Sequence, residues 1–146
     1  MAKAYYSTVF ETPAPDIWKI VRDFNNYPVW VAGAGESRIE DGKTGDTVGA
    51  VRSVLYQERR IRQRSLALSD LEQSCTYCLL DTPIPLFNYV AHVRLLPVTD
   101  GDRTFWHWEC RFTTRVGDEQ RLTEMVGEQI YQAGFDAVRK HLQEAE

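Results

Sequence analysis

The Asp100-Gly101 pair constrains the fold of this chain more than any other feature. An Asp-Gly step favours a two-residue turn between antiparallel strands, because both residues tolerate positive φ. A turn centred there places apolar residues opposite one another: Tyr89 with Phe112, Ala91 with Cys110, Val93 with Trp108 and Leu95 with Trp106. A slip of one residue would send this whole set to the other face. The pair therefore predicts a β-hairpin with one apolar face and a solvent face where His92 lies opposite Glu109.

Further strands are predicted through most of the chain. Residues 3–11 alternate as a first strand, and residues 37–114 divide into strands at clusters of turn-forming residues. Those clusters are Asp41-Gly42 with Gly45-Asp46, Ser69-Asp70, and Pro83-Ile84-Pro85. The pattern predicts one antiparallel sheet of about seven strands.

Helices are predicted on either side of this strand region. Thr12 as N-cap and Pro13 as first residue start a short amphipathic helix, which Asn25-Asn26 interrupts. Tyr27–Trp30 follows as a turn or a second short helix. A final helix runs from about Asp118 to Glu144, with its apolar stripe at Leu122, Val126, Ile130, Ala133, Ala137 and Leu142. That helix is roughly 35–40 Å long, enough to lie across a whole sheet.

Composition narrows the class of protein. The 146 residues, 43% of them hydrophobic, indicate one globular domain over residues 1–146. A net charge of −4 argues against a generic nucleic-acid grip, which neutralises phosphates. No apolar run approaches the ~20 residues that span a bilayer, and Met1–Tyr6 contains no apolar signal segment. We therefore expect a cytoplasmic protein without a membrane span.

Cysteine and histidine offer no metal or cofactor site. Cys75, Cys78 and Cys110 fit a reducing compartment, and the C-x-x-C at 75–78 falls on a predicted strand. Residues three apart on a strand point to opposite faces, so the pattern favours buried small thiols over a metal or redox pair. The histidines His92, His107 and His141 do not converge. We expect no metal and no cofactor.

Polar residues occupy strand positions that should face the core. They are Thr8, Arg52, Gln63 and Ser65. A buried polar group without a partner costs about 1–3 kcal/mol, and an unpaired charge costs more. These side chains therefore either pair with one another and with tyrosine hydroxyls, or line a wet pocket.

The order of elements resembles a known superfamily. The matching stretches are Thr12-Pro13 through Trp18, Asp23-Phe24 through Tyr27 and Trp30, Gly49 through Arg52, Arg64 with Asp70, Tyr77, Pro85 through Ala91, and Trp108 through Phe112. They resemble the START-like (SRPBCC, helix-grip) superfamily and, within it, the polyketide cyclase/dehydrase-type branch. The resemblance implies an α+β helix-grip fold: a curved seven-stranded antiparallel sheet wrapped around a long C-terminal helix, with two short helices after strand 1.

The resemblance also implies a ligand cavity between the sheet and the last helix. By position, its walls would be Arg52, Gln63, Tyr77, Tyr89 and Trp108. Nearer the mouth or the helix would be Trp30, Ile130, Gly134 and the loop Pro83–Leu86. The missing side chain of Gly134 would leave room for a ligand, at some cost in helix stability. Arg52 either anchors a carboxylate, phenolate or carbonyl of that ligand, or serves in a structural hydrogen-bonded network.

Three functions follow as hypotheses. The first is binding of a small hydrophobic or aromatic ligand, lipid- or polyketide-like. The second is a metal-free polyketide cyclase, aromatase or dehydratase using the same cavity. Gln63 favours binding, because similar sequences often place Glu there and an amide cannot act as a general base. The third, weaker hypothesis is an accessory protein that binds a protein partner through the basic sheet face at Arg62, Arg64, Arg94 and Arg111; a homodimer is one form of such a partnership.

Overall fold

Seven antiparallel strands form a single sheet in the computed structural model, which describes residues 1–31 and 33–144. The strands are β1 (Ala2–Phe10), β2 (Ala34–Ile39), β3 (Val51–Tyr56), β4 (Arg59–Ser69), β5 (Ser74–Asp81), β6 (Phe87–Val98) and β7 (Arg103–Thr113). Their order across the sheet is β1-β7-β6-β5-β4-β3-β2. Every sequential pair from β2 to β7 is a direct neighbour, and β1 closes beside β7.

Helical segments precede and follow the main run of strands. After β1 come α1 (Ala14–Val21), a 3-10 turn (Phe24–Asn26) and α2 (Tyr27–Trp30). After β7 one long helix consists of α3 (Glu119–Glu124), a π-helical segment (Met125–Gln132) and α4 (Ala133–Glu144). The helix-grip fold predicted from the sequence is confirmed.

The β6–β7 hairpin has the predicted register. Ala91 pairs with Cys110, Val93 with Trp108, Leu95 with Trp106, and His92 with Glu109 on the other face. The register shifts between Phe87 and Val90, where Asn88 takes a φ of 55°. This β-bulge tilts the end of β6, yet the Tyr89 ring still lies 6.2 Å from that of Phe112.

The start of the first helix differs from the prediction. Helix α1 begins at Ala14 with Pro13 as its N-cap, and no side chain caps it. The expected N-cap role of Thr12 is wrong, because its backbone belongs to the preceding turn, where its carbonyl accepts a hydrogen bond of 2.6 Å from the Thr104 hydroxyl. Burial of α1 against the core, with Ile17 fully enclosed, stabilises the helix instead.

The π-helical segment changes which residues of the C-terminal helix face the sheet. A π-helix closes i→i+5 bonds and has wider turns than an α-helix, so a stripe counted at 3.6 residues drifts within it. Leu122, Val126 and Ile130 are buried as predicted. Beyond them the buried positions are Tyr131, Gly134, Phe135 and Val138, whereas Ala133, Ala137 and Leu142 are only half-buried.

Two glycines let this helix approach the rest of the fold closely. A Cβ at Gly127 would collide with the Tyr6 ring. A Cβ at Gly134 would lie 2.5 Å from the Trp30 carbonyl oxygen and 2.9 Å from the Trp108 ring. The reason expected for Gly134 is therefore wrong: its missing side chain makes room for Trp108 and the Trp30 backbone, not for a ligand.

The close contact predicts that Gly134→Ala destabilises the protein. Alanine adds helix propensity worth about 1 kcal/mol, but overpacking against a backbone carbonyl costs more, so the free energy of unfolding should fall by about 1–2 kcal/mol. Urea denaturation measures this change. Lys140→Ala, on the exposed side of the same helix, should change stability by less than about 0.5 kcal/mol. A stabilised Gly134→Ala variant would contradict the packing described here.

Candidate functional site

Arg52 lies at the centre of a buried polar cluster between the sheet and the short helices. The side chain is fully enclosed on β3. Its Nε donates to Gln63 Oε1 at 2.6 Å, and its Nη1 donates to the Phe24 carbonyl oxygen at 3.0 Å. Arg52 and Gln63 are directly paired across β3 and β4, so the sheet register itself brings them together. Of the polar residues predicted to face inward, Arg52 and Gln63 do pair with each other, and Gln63 also lines the pocket described below.

Aromatic rings enclose the Arg52 guanidinium. Its central carbon lies 3.8 Å from the centre of the Phe24 ring and 3.7 Å from that of Tyr27, with Tyr77 at 4.9 Å. Such cation–π contacts stabilise a desolvated cation by about 2 kcal/mol or more. The 3-10 turn supplies Phe24 and α2 supplies Tyr27, so these two short elements form part of the enclosure around the guanidinium.

The positive charge of Arg52 is not neutralised within the part of the chain that the structure describes. No carboxylate there forms a salt bridge with Arg52, and its Nη2 is buried without a hydrogen-bond partner. Burial lowers the pKa of the guanidinium, and the nearby Tyr27 and Tyr77 offset part of that effect. The site therefore holds a desolvated cation whose Nη2 amino group has no hydrogen-bond partner among the described residues.

Tyrosines and a tryptophan extend the cluster toward the C-terminal helix. Trp108 Nε1 donates to the Tyr77 hydroxyl at 3.1 Å. The Tyr89 and Tyr131 hydroxyls lie 2.5 Å apart, and the Tyr131 ring stacks on Trp108 with centroids 3.9 Å apart. Burial raises the pKa of Tyr77, Tyr89 and Tyr131 well above the ordinary tyrosine value.

A pocket opens beside this cluster. It is lined by Tyr27, Tyr56, Ile61, Gln63, Leu79, Thr82, Ile84, Leu86, Tyr89 and Ile130. Counted out to the open mouth, the empty space is about 360 Å³. The cavity volume inside the pocket is about 20 Å³. That space holds about one water. Ile84 and Leu86 come from the β5–β6 loop and Ile130 from the C-terminal helix, so these elements enclose the pocket.

The predicted site residues fall into two groups. Gln63, Tyr89 and Ile130 line the pocket, as do Ile84 and Leu86 of the predicted mouth loop. The others lie in the packed region behind it: Arg52, Tyr77, Trp108, Trp30 and Gly134. Their enclosure comes from the close contact between helix and sheet, which a list of inward-facing positions does not reveal.

Several lining residues were not predicted from the sequence. They are Tyr27, Tyr56, Ile61, Leu79 and Thr82. Ile61 and Leu79 carry a usable signal, because each lies two residues from an inward position on its own strand, next to Gln63 and Tyr77. Tyr27 carries none, since its orientation depends on how the short α2 helix packs.

The other candidate residues lie apart from this pocket. Cys75 is buried beside Tyr77, whereas Cys78 is half-buried on the opposite sheet face, and neither forms a disulfide. At the end of β5, the exposed Asp81 forms a salt bridge of 2.8 Å with Arg62. Thr8 is half-buried and accepts a hydrogen bond from Arg139. No helix within residues 1–31 and 33–144 has the length and apolar character to cross a membrane.

Residues 1–143 match the family described as polyketide cyclase / dehydrase and lipid transport, and the chain belongs to that family. No curated protein sequence matches it. Among solved structures, protein XoxI from Bacillus cereus is similar, with 22% identity, a TM-score of 0.85, and 97% of this chain and 95% of that chain covered. An uncharacterised protein from Bacillus thuringiensis has 22% identity and a TM-score of 0.84, over 96% of this chain and 98% of its own.

A further similar structure is the di-domain ARO/CYC BexL from the BE-7585A biosynthetic pathway. Its identity to this chain is 11% and the TM-score is 0.80. The alignment covers 98% of this chain and 47% of BexL, whose name describes two domains. At these low sequence identities, the structural similarity establishes a shared fold only. Family membership separately supports a role in hydrophobic-ligand binding or cyclisation.

The buried tyrosines predict a loss of stability in alkali. The unfolded chain ionises its tyrosines near pH 10, whereas the folded chain keeps Tyr77, Tyr89 and Tyr131 protonated. The unfolded state then binds fewer protons, so the free energy of unfolding falls as the pH rises past about 10 and does not respond to these groups below about pH 9.

Urea denaturation at a series of pH values measures this slope. Above about pH 10, Tyr89→Phe should make the slope of the free energy of unfolding against pH shallower by about 1.4 kcal/mol per pH unit, because the variant lacks the ionisable Tyr89 hydroxyl. Tyr5→Phe, at a half-exposed ring outside this cluster, is the matched control. Equal slopes in Tyr89→Phe and wild type would contradict the protonated, buried state of Tyr89.

Proposed function

We propose that this protein binds a small hydrophobic or aromatic ligand, lipid- or polyketide-like, that carries an acidic or carbonyl oxygen. The observation that carries the proposal is the desolvated cation of Arg52, which has no carboxylate partner among the described residues and keeps a free N–H at Nη2. An unpaired buried charge is costly, so a fold keeps one where a ligand or a reaction uses it. A negatively polarised ligand atom supplies what the protein itself does not.

The pocket chemistry supports such a ligand. Most of its walls are apolar or aromatic, as in other small-molecule sites, and two of its polar side chains, Gln63 and Tyr27, lie at the end next to Arg52. Gln63 and Tyr27 line the pocket and also contact Arg52, so the cation lies one side chain behind the wall. A ligand oxygen at that end experiences a positive field in a region of low dielectric.

Entry of a ligand requires the pocket to widen, since its enclosed space holds about one water. The β5–β6 loop is the element best suited to move, because Ile84 and Leu86 cover the pocket from a segment outside the sheet. We propose that the ligand contacts Gln63, Tyr89 and Ile130 together with Tyr27, Tyr56, Ile61, Leu79 and Thr82, whereas Arg52, Tyr77, Trp108 and Trp30 act from the packed region behind the pocket wall.

The cytoplasmic location, the single domain over residues 1–146 and a homodimer remain predictions. They rest on sequence composition, on the extent of the resemblance and on the charge of the sheet face.

Two naphthalene probes that differ by one anionic group test the ligand proposal. Anilinonaphthalene sulfonate carries a negative charge and N-phenylnaphthylamine lacks it. Arg52→Met, which keeps the length of the side chain and removes its charge, should weaken binding of the sulfonate by about 10- to 100-fold. Binding of the neutral probe should change by less than about threefold. Fluorescence titration measures both.

Gln63→Glu provides the matched control. It preserves the hydrogen bond to Arg52 Nε and adds a counter-charge. Binding of the sulfonate probe should therefore weaken, while binding of the neutral probe is retained. Circular dichroism and urea denaturation establish that both variants fold. Equal losses for the two probes, or no binding of either probe to wild-type protein, would contradict the proposal.

A second candidate function is cyclisation or dehydration of a polyketide-like chain. Arg52, which lies one side chain behind the pocket wall, and the lining Tyr27 beside it would polarise a ligand carbonyl at that end of the pocket. The family description supports this candidate. Native mass spectrometry of the protein incubated with an aromatic poly-β-keto thioester mimic separates the functions: a binding protein releases the compound with its mass unchanged, whereas an enzyme releases it lighter by one water.

A further inference from the structure

The outer face of the sheet carries exposed hydrophobic side chains near the mouth of the pocket. Leu80, Phe87 and Val90 are between 37% and 44% exposed. Val90 pairs with Cys78 on β5, while Leu80 and Phe87 border one groove. Solvent-facing strand positions are normally polar, so a group of three such residues indicates a contact surface.

Arginines surround these three residues. Arg111 pairs with Val90, Val90 with Cys78, and Cys78 with Arg64, which places the two arginines about 14 Å apart across the sheet. Arg115 lies over the Phe87 ring at 5.9 Å. We name Leu80, Phe87, Val90, Arg64, Arg111 and Arg115 the basic rim.

The charges of the basic rim are free to act on a partner. Arg64, Arg111 and Arg115 are all exposed, and none forms a salt bridge within residues 1–31 and 33–144. The acidic groups nearby are already paired. Asp81 contacts Arg62, Glu109 contacts Lys3, and Asp118 contacts Arg121. The rim therefore has a local positive charge, although the whole chain has a net charge of −4.

A groove borders the basic rim on one side and the β5–β6 loop, which covers the pocket, on the other. Its volume is about 290 Å³, and its lining includes Leu80, Phe87 and Arg115 from the rim. The same groove is lined by Thr82, Ile84 and Leu86, which also line the inner pocket. Movement of the β5–β6 loop, as proposed above for ligand entry, would let an apolar compound pass from the rim along this groove into the pocket.

We propose that the basic rim docks the protein on an anionic lipid surface, with Phe87 and Leu80 at the acyl boundary and the three arginines at the headgroups. Peripheral membrane binding of this kind combines buried apolar area with attraction to acidic lipids. A second copy of the chain is a poor occupant, because two such rims would face each other with like charges. Because the groove at the rim adjoins an apolar pocket, we favour a lipid surface over an acidic protein as the occupant of the rim.

Vesicle flotation of the full chain tests this proposal. The probes are vesicles of phosphatidylcholine alone and vesicles with about 30% phosphatidylserine, each at low and high salt. Wild-type protein should float with the anionic vesicles only, and high salt should release it. Each arginine near such a surface strengthens binding about fivefold, so Arg64→Gln/Arg111→Gln/Arg115→Gln should bind about 100-fold more weakly.

A matched variant removes the same charge elsewhere. Lys19→Gln/Lys43→Gln/Lys140→Gln changes three exposed lysines outside the rim and should bind within about twofold of wild type. Phe87→Ser should also weaken flotation, which separates insertion from attraction by charge alone. Failure of wild-type protein to bind anionic vesicles, or equal losses in both triple variants, would overturn the proposal. Soluble polyglutamate serves as the probe for an acidic protein. If wild-type protein binds it as tightly as it binds vesicles, and the arginine variant does not, the rim would be assigned to an acidic protein instead.

Discussion

The contact between the C-terminal helix and the sheet at Trp108 determines where this fold has space for a ligand. Trp108 stacks on Tyr131 at 3.9 Å, and Gly134 brings the helix against both Trp108 and the Trp30 carbonyl. No gap remains at this end of the sheet. The pocket lies instead where Ile130 faces the strands β3, β4 and β5, because side chains from those strands do not fill the curve of the sheet beneath the helix.

The second constraint is electrostatic. A guanidinium taken out of water carries a desolvation cost of several kcal/mol, which two hydrogen bonds and three aromatic rings only partly offset. A well-packed hydrophobic residue at position 52 would avoid that cost, and the surrounding Phe24 and Tyr27 would accommodate it. The stability of the fold alone therefore does not account for the retained charge, which is the ground on which we propose a ligand oxygen as its partner.

The sequence predicted those features that follow from local period and register. The hairpin around Asp100-Gly101 fixed the pairing of Val93 with Trp108, and alternation along the strands placed Arg52 and Gln63 inward. Features that depend on how elements pack were missed. The π-helical segment brought Tyr131 onto the buried stripe, and the short α2 helix turned Tyr27 onto Arg52. Neither a helical period of 3.6 nor residue propensity contains that information.

Gln63 links the packing of the site to its selectivity. Its amide oxygen fixes Arg52 Nε at 2.6 Å, but an amide carries no charge, so it orients the cation without neutralising it. A glutamate at this position would form an internal ion pair and leave a ligand little to gain from Arg52. Because the glutamine does not neutralise Arg52, the positive field of the guanidinium still acts on the pocket. It also withholds the carboxylate base that acid–base chemistry there would need, which is why we propose recognition of an electron-rich oxygen ahead of catalysis.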